Sequence, residues 1–198
     1  MSAIGRTTDA VISAVLFSAV ILAGCGNEAR SKKTQPAASA TRVDSVSAGP
    51  PRLVAAQRIS GSGSRIGITA TFHDDAGLAN IVQLFAVVNI PSRGVDGTKG
   101  CAVWCKPETG DLYLLDDVGK NWLGPKKLGA NDAIRNGQCQ ISAKDSSVAD
   151  SQGNLRWVVA IEFMPPFRGQ KDIYAKAVDR QNRESNFSLL GSWNVVTQ

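Results

Sequence analysis

Residues 155–163 read LRWVVAIEF, and their alternation decides the fold class. Leu155, Trp157, Val159, Ile161 and Phe163 fall on one face, with Arg156 and Glu162 on the other. A period of two over nine residues is the signature of a half-buried strand. RIGITATF (65–72) repeats it, with Ile66, Ile68, Ala70 and Phe72 on one face and Gly67, Thr69 and Thr71 opposite. IVQLFAVVNI, DLYLLDD, QCQISA, DIYAKAV and SWNVV are further β-rich runs. HDDAG, PSRGVDGTKG, PETGD, DSQGN and PPFRG separate them as turns. Only NDAIRN (131–136) offers a turn of helix. Many short strands joined by Gly- and Pro-rich turns predict an all-β sandwich or barrel.

The amino-terminal part has a different character. AVISAVLFSAVILAG (10–24) is uncharged and apolar, follows Arg6, and has the length of a signal-peptide core rather than of a membrane span. It closes on Leu22-Ala23-Gly24-Cys25, which resembles the lipobox of bacterial lipoproteins. The resemblance implies cleavage before Cys25, diacylglyceryl transfer to its thiol, and acylation of the new amino end by a chain such as palmitate. Multiple acyl chains on one residue give a stable membrane anchor. Gly26 follows the cysteine, not the Asp that retains such proteins in the inner membrane. The expected location is therefore the bacterial cell envelope, and the outer membrane in a diderm host.

Three segments follow: signal peptide 1–24, lipidated cysteine and tether 25–52, and one domain, 53–198. The tether holds five basic and two acidic residues and few large apolar side chains, so it is expected to be flexible. The formal net charge is +5, yet the domain itself is nearly balanced, with 16 basic and 14 acidic residues. Nothing in that balance points to nucleic acid. About 145 residues suffice for one core.

With Cys25 lipidated, Cys101, Cys105 and Cys139 remain. An exported compartment favours disulfides. Residues four apart on an extended strand have Cα atoms about 13 Å apart, beyond disulfide reach. Cys101 and Cys105 are therefore not expected to bond each other, and Cys139 is the partner of one of them.

LYLLDDVGKNWLGPKKLGANDAIRNGQC (112–139) is similar to a motif in immunoglobulin-like or fibronectin-III-like modules of large secreted bacterial surface proteins. There a strand ending in Leu-Asp-Asp is followed by Gly, Trp, Gly-Pro and Leu-Gly, before a cysteine opens the next strand. FMPPFRGQKDIYAKAVDRQNRES and LGSWNV resemble the closing strands, with an Ala-x-Asp corner at 177–179. The resemblance covers about residues 65–197 and implies an immunoglobulin-like antiparallel β-sandwich. It also implies the disulfide Cys101–Cys139 with Cys105 free, since the modules carry cysteines at the first two positions and an aromatic residue at the third. Asn182 and Asn186 stand where glycine is common, and Gly137 where serine is. Asn tolerates the positive φ such turns need.

Candidate sites are few. His73, Asp74 and Asp75 could serve a small hydrolase or metal-dependent enzyme, and with Asp116-Asp117 could offer oxygens to Ca²⁺, which takes six to eight. Such stretches are also ordinary turn chemistry. No nucleophile elbow, phosphate loop or metal-ligand spacing is present in the sequence. No catalytic residue, metal or cofactor is assigned. Among the tryptophans, Trp157 and Trp193 alternate with apolar neighbours and are expected in the core. Trp122 coincides with a tryptophan of the resembling modules, which implies packing, and Trp104 is the candidate exposed aromatic. Loop 91–100, with Arg93 and Lys99 against Asp96, is the longest Gly-rich loop and the candidate contact with a modestly acidic partner. The expected function is a non-catalytic, structural or adhesive module that binds a protein or glycan of the envelope, tethered to the membrane.

Replacing Cys25 by Ala is expected to leave the precursor uncleaved and without lipid. Electrophoretic size and radiolabelled palmitate incorporation check this.

Overall fold

A computed structural model describes residues 48–197; the apolar run, Cys25 and the tether up to residue 47 lie outside them. Twelve strands follow in order: β1 Arg52–Ala56, β2 Ser62–Gly63, β3 Arg65–His73, β4 Ile81–Asn89, β5 Cys101–Lys106, β6 Asp111–Leu115, β7 Trp122–Lys127, β8 Ala133–Arg135, β9 Cys139–Ser151, β10 Asn154–Phe163, β11 Gly169–Asp179 and β12 Ser188–Val195. Helix among the described residues is confined to 3-10 turns at Leu78–Asn80, Pro91–Arg93 and Pro165–Phe167. None is long and apolar enough to cross a membrane. The turn of helix expected in NDAIRN is instead strand β8, because Ile134 is drawn into the core opposite Ile141. Pro51 is buried and Arg52 opens β1, so residues just before position 53 are part of the sandwich.

The strands form two sheets, β1-β3-β10-β9-β8 and β2-β12-β11-β4-β5-β6-β7. Every pairing is antiparallel except β2 with β12. The first sheet reproduces the A-B-E-D order of immunoglobulin domains, and β12-β11-β4-β5-β6 the G-F-C-C′-C″ order of the variable type. The fold is thus the immunoglobulin-like sandwich that the resemblance implies, extended by β2, β7 and β8.

Both inner faces are apolar. β10 contributes Leu155, Trp157, Val159, Ile161 and Phe163, and β3 contributes Ile68, Ala70 and Phe72, all buried as the alternation requires. Leu84, Ala86, Val88, Val103, Leu112, Leu114, Ile173 and Ala175 face them from the second sheet. Burying one such large side chain is worth about 1.5–3 kcal/mol. Trp193 is only half-buried: its ring lies against Gly61 and Gly63, and Nε1 donates to the Gly63 carbonyl at 3.0 Å. It packs against the core at the β2 edge of the sheet.

The disulfide Cys101–Cys139 joins β5 of one sheet to β9 of the other across 38 residues, with Cα atoms 5.8 Å apart. In the chain-entropy model a loop of that length is worth about 4 kcal/mol. Antibody domains bridge strands B and F instead. Here those strands carry Ala70 and Ala175 in the core. Cys105 is free and buried, and burial pushes its thiol up to about 12, with Asp111 adding to the effect.

Asp179 fixes the corner between β11 and β12. Its carboxylate is fully buried and accepts the N–H groups of Gln181 and Arg183, both at 2.9 Å, and Arg183 Nε at 2.6 Å. Asn182 supplies the positive φ of that turn (60°). Arg183 Nη1 donates in turn to the Ala48 carbonyl, tying down the start of the described chain. Burial pushes the Asp179 carboxyl up, but the Arg183 N–H, the Arg183 guanidinium and the Gln181 N–H outweigh it, and the net direction is down.

The stabilisation from Asp179 is therefore fully present above the ordinary carboxylate range and is lost as pH falls through its depressed value. Asp179→Ala is expected to cost about 3 kcal/mol at pH 7. In urea melts the difference between wild type and variant should shrink as the pH is lowered through that range.

Candidate functional site

The outer face of the second sheet carries residues that the core does not require. In β4, β5 and β6 the inward positions are Leu84, Ala86 and Val88, then Cys101, Val103 and Cys105, then Leu112 and Leu114. Phe85, Trp104 and Tyr113 occupy the opposite phase and point away from the core. Register aligns them: Lys176 of β11 lies opposite Phe85, Phe85 opposite Trp104, and Trp104 opposite Tyr113. One cation and three aromatic rings thus form a row across four strands.

The rings stack. Phe85 and Trp104 are nearly parallel (4°) with centroids 6.1 Å apart, and Trp104 and Tyr113 are 4.6 Å apart at 23°. Neighbouring strands are about 4.8 Å apart, so rings stacked along the row stand on edge over the sheet. Trp122, from β7, is near-equidistant from Trp104 (5.5 Å) and Phe85 (6.2 Å) and inclined to them by 61° and 57°. It therefore braces against both rings at an angle to the ladder. Ammonium groups sit over the stack: Lys106 Nζ is 4.8 Å from the Trp104 centroid and 5.6 Å from that of Tyr113. Lys176 Nζ is 5.2 Å from Phe85 and 4.9 Å from Phe187, and pairs with Glu184 at 2.7 Å.

Trp104 is thus outward-facing as expected, but half-buried inside the ladder; the more accessible indole is Trp122, 37% exposed. Phe85, Tyr113, Lys106 and Lys176 were not singled out from sequence. Their signal is the off-phase position of an aromatic or lysine in strands whose other phase is wholly apolar. Alignment into one row depends on register between distant segments.

Loop 91–100 adjoins this face. A Cβ on Gly97 would lie 2.9 Å from the Ala102 Cβ and 2.7 Å from Leu115 Cδ2, so only glycine lets the loop pack there. Arg93 Nη1 donates to the Thr98 carbonyl at 2.8 Å, and Asp96 accepts the Thr98 N–H at 2.9 Å. The Thr98 N–H holds the Asp96 carboxyl below its usual value. Asn89 Nδ2 donates to the carbonyls of Asp96 and Thr98. Arg93 and Asp96 therefore shape the loop itself, while the Lys99 side chain is exposed.

His73 and Asp75 meet, but Asp74 turns away from them. Asp74 is buried and accepts Ala76 N–H at 2.8 Å and Asn80 Nδ2 at 3.0 Å. His73 lies between Asn154 Oδ1 (2.9 Å) and Asp75 Oδ1 (3.1 Å), and Asp75 is also paired with Arg52 at 3.0 Å. Asp116 binds Lys120 N–H and Asn121 Nδ2, whereas Asp117 binds Gly137 N–H and Gln138 Nε2. A serine Cβ at 137 would press into the Asp117 carboxylate at 2.5 Å from Oδ2, which explains glycine there. Among the described residues no three His, Cys, Asp or Glu side chains are grouped as metal ligands. On the other sheet, a shallow trough of about 470 Å³ over Arg65, Gly67, Gln140, Ser142 and Glu162 has no aromatic lining.

No protein-family model matches the chain, and the comparison with curated proteins finds no match. Among solved structures, murine CRIg is similar at 12% identity and a TM-score of 0.33, over 75% of this chain and 100% of that one. The fold assignment rests on strand order, not on that likeness.

The ladder makes a specific division of labour. Trp104→Ala removes the ring shared by the stack and is expected to destabilise the domain by about 3 kcal/mol. Trp122→Ala, at an exposed edge strand, is expected to cost roughly 1 kcal/mol or less. Urea titration of both variants checks the difference.

Proposed function

We propose that the chain is a bacterial envelope lipoprotein, anchored by acyl groups on Cys25, whose sandwich binds an envelope component without chemical turnover. The destination is the outer membrane where the host has one. The observation that carries the reading is the row Lys176–Phe85–Trp104–Tyr113 with Trp122 beside it. Aromatic rings and ammonium groups gathered on a solvent face are recognition chemistry rather than core. Support for the anchor is the closing sequence Leu22-Ala23-Gly24-Cys25 after an uncharged apolar run. Against turnover stands the engagement of all three side chains: Asp74 is buried on Ala76 N–H and Asn80 Nδ2, while His73 and Asp75 pair with each other and with Asn154 and Arg52. Loop 91–100, with Lys99 exposed, extends the surface alongside the row, where Gly97 packs on Ala102 and Leu115.

The test uses the full lipidated protein in detergent micelles and envelope fragments from the producing cell, stripped of lipid by detergent. Wild type is expected to cosediment saturably, and Trp122→Ala to bind at least tenfold more weakly. Equal binding by the variant overturns the placement of the site. Hydrolysis of an ester, peptide or glycoside that is lost in His73→Ala overturns the non-catalytic reading.

A further inference from the structure

We infer that His73 is a proton-operated latch: with both ring nitrogens protonated it ties the β9–β10 hairpin to the end of β3, and loss of one proton releases the hairpin. The two oxygens that face the ring carry the inference. Asn154 Oδ1 lies 2.9 Å from His73 Nδ1, and Asp75 Oδ1 lies 3.1 Å from Nε2. A neutral imidazole has one donor nitrogen and one acceptor, whereas the imidazolium has two donors. Both partners here are acceptors, so the set of contacts is complete only in the imidazolium.

Neither partner can turn donor. The Asn154 amide is oriented by its other end, where Nδ2 donates to the carbonyls of Ser151 and Gln152, both at 3.3 Å. Flipping the amide would set Oδ1 against those two carbonyls. Asp75 is paired with Arg52 Nη1 at 3.0 Å, and that bond holds its carboxyl below its usual value. It is therefore an anion throughout the range in which an imidazole titrates.

The other charged groups around the ring have their own places. Arg52, opposite His73 on β1, is the partner of Asp75. In the turn after β3, buried Asp74 accepts Ala76 N–H and Asn80 Nδ2. In the hairpin, Asp150 accepts Gly153 N–H at 2.9 Å. Arg156, opposite Thr71 on β10, is the next cation along the sheet.

The position of the bond gives it mechanical effect. The ladder between β10 and β3 begins at Leu155 with Phe72, so the contact from His73 to Asn154 extends that pairing into the hairpin, whose turn holds Gln152 and Gly153 at positive φ. As the pH rises through the imidazole range, the proton that stays is the one on Nε2, because a bond to a carboxylate is stronger than one to an amide oxygen. Nδ1 then presents a lone pair to Asn154 Oδ1, and the two repel. The latch is closed at low pH and opens as pH rises. His73 is the only histidine in the chain, so a side-chain response between about pH 5 and 8 belongs to it. The aromatic row lies on the other sheet, and the latch acts independently of what that row binds.

The experiment labels the single histidine with ¹⁵N in the full chain, held in neutral detergent, and follows its ring nitrogens together with hydrogen exchange of the hairpin amides. At about pH 5.5 both ring nitrogens are expected to carry protons, and at about pH 8.5 Nε2 alone. Protection of the amides of residues 152–154, corrected for intrinsic exchange, should fall several-fold over that interval, while the amides of β4 and β5 stay level. His73→Gln should abolish the fall. Asn154→Asp, which sets a carboxylate against Nδ1, should move it to higher pH. A neutral ring that keeps its proton on Nδ1 overturns the inference. So does hairpin protection that stays level in wild type, or a fall that persists in His73→Gln. The readout is the same whether or not Cys25 carries acyl chains, so failure of the proposed function and failure of the latch are told apart.

Discussion

The bond between Cys101 and Cys139 sets the phase of the strand that the candidate face depends on. Cys101 must point between the sheets to reach a cysteine on the opposite one. On a strand of period two, that orientation forces Val103 and Cys105 inward and Trp104 outward. A slip of one residue would bury the indole and the Lys106 ammonium and expose two thiols. The disulfide thus contributes stability and also selects which side chains the face presents. Once β5 is phased, its neighbours follow. Phe85 and Tyr113 come into register with Trp104 because β4 and β6 carry their own apolar phase toward the same core.

The aromatic face couples stability to recognition. Its inner members, Phe85, Trp104 and Tyr113, are held by stacking and by lysines over their rings, so their geometry is settled before any ligand arrives. Trp122 stands on an edge strand and is free to make contact on its open side. A rigid base with one exposed ring reduces the ordering cost of binding. Around it Lys176 and Asp111 are held in ion pairs, while Lys106 sits over the rings and Asp116 and Asp172 accept neutral donors.

Much of this was legible in the sequence. LRWVVAIEF and RIGITATF give core faces residue by residue, and the structure buries the same residues except Ile66, which is half-buried against the core. The two-residue turn of DSQGN appears as Gln152-Gly153, both at positive φ, closing β9 onto β10. Asn182 and Asn186 hold the positive φ expected where glycine is common. NDAIRN was misread because three residues are too few to show a period, and burial of Ile134 decided the outcome. Trp104 and Trp122 exchanged their expected exposures for a similar reason. Alternation places a side chain on a face but not within it, and how deeply it sits depends on which distant strand lies alongside. Arg93 and Asp96, candidate contacts in the linear sequence, are exposed and also bond the backbone of their own loop, which only the fold reveals.

The phase of β5 is open to direct measurement by thiol labelling. In Cys25→Ala protein, iodoacetamide is predicted to label no cysteine under native conditions and Cys105 alone after unfolding without reductant. Peptide mapping of the same sample should recover Cys101 joined to Cys139. Native labelling of Cys105 would reverse the faces of β5 and contradict the placement of the aromatic row, whereas a bond between Cys105 and Cys139 would keep that phase and contradict the placement of β5 along β9.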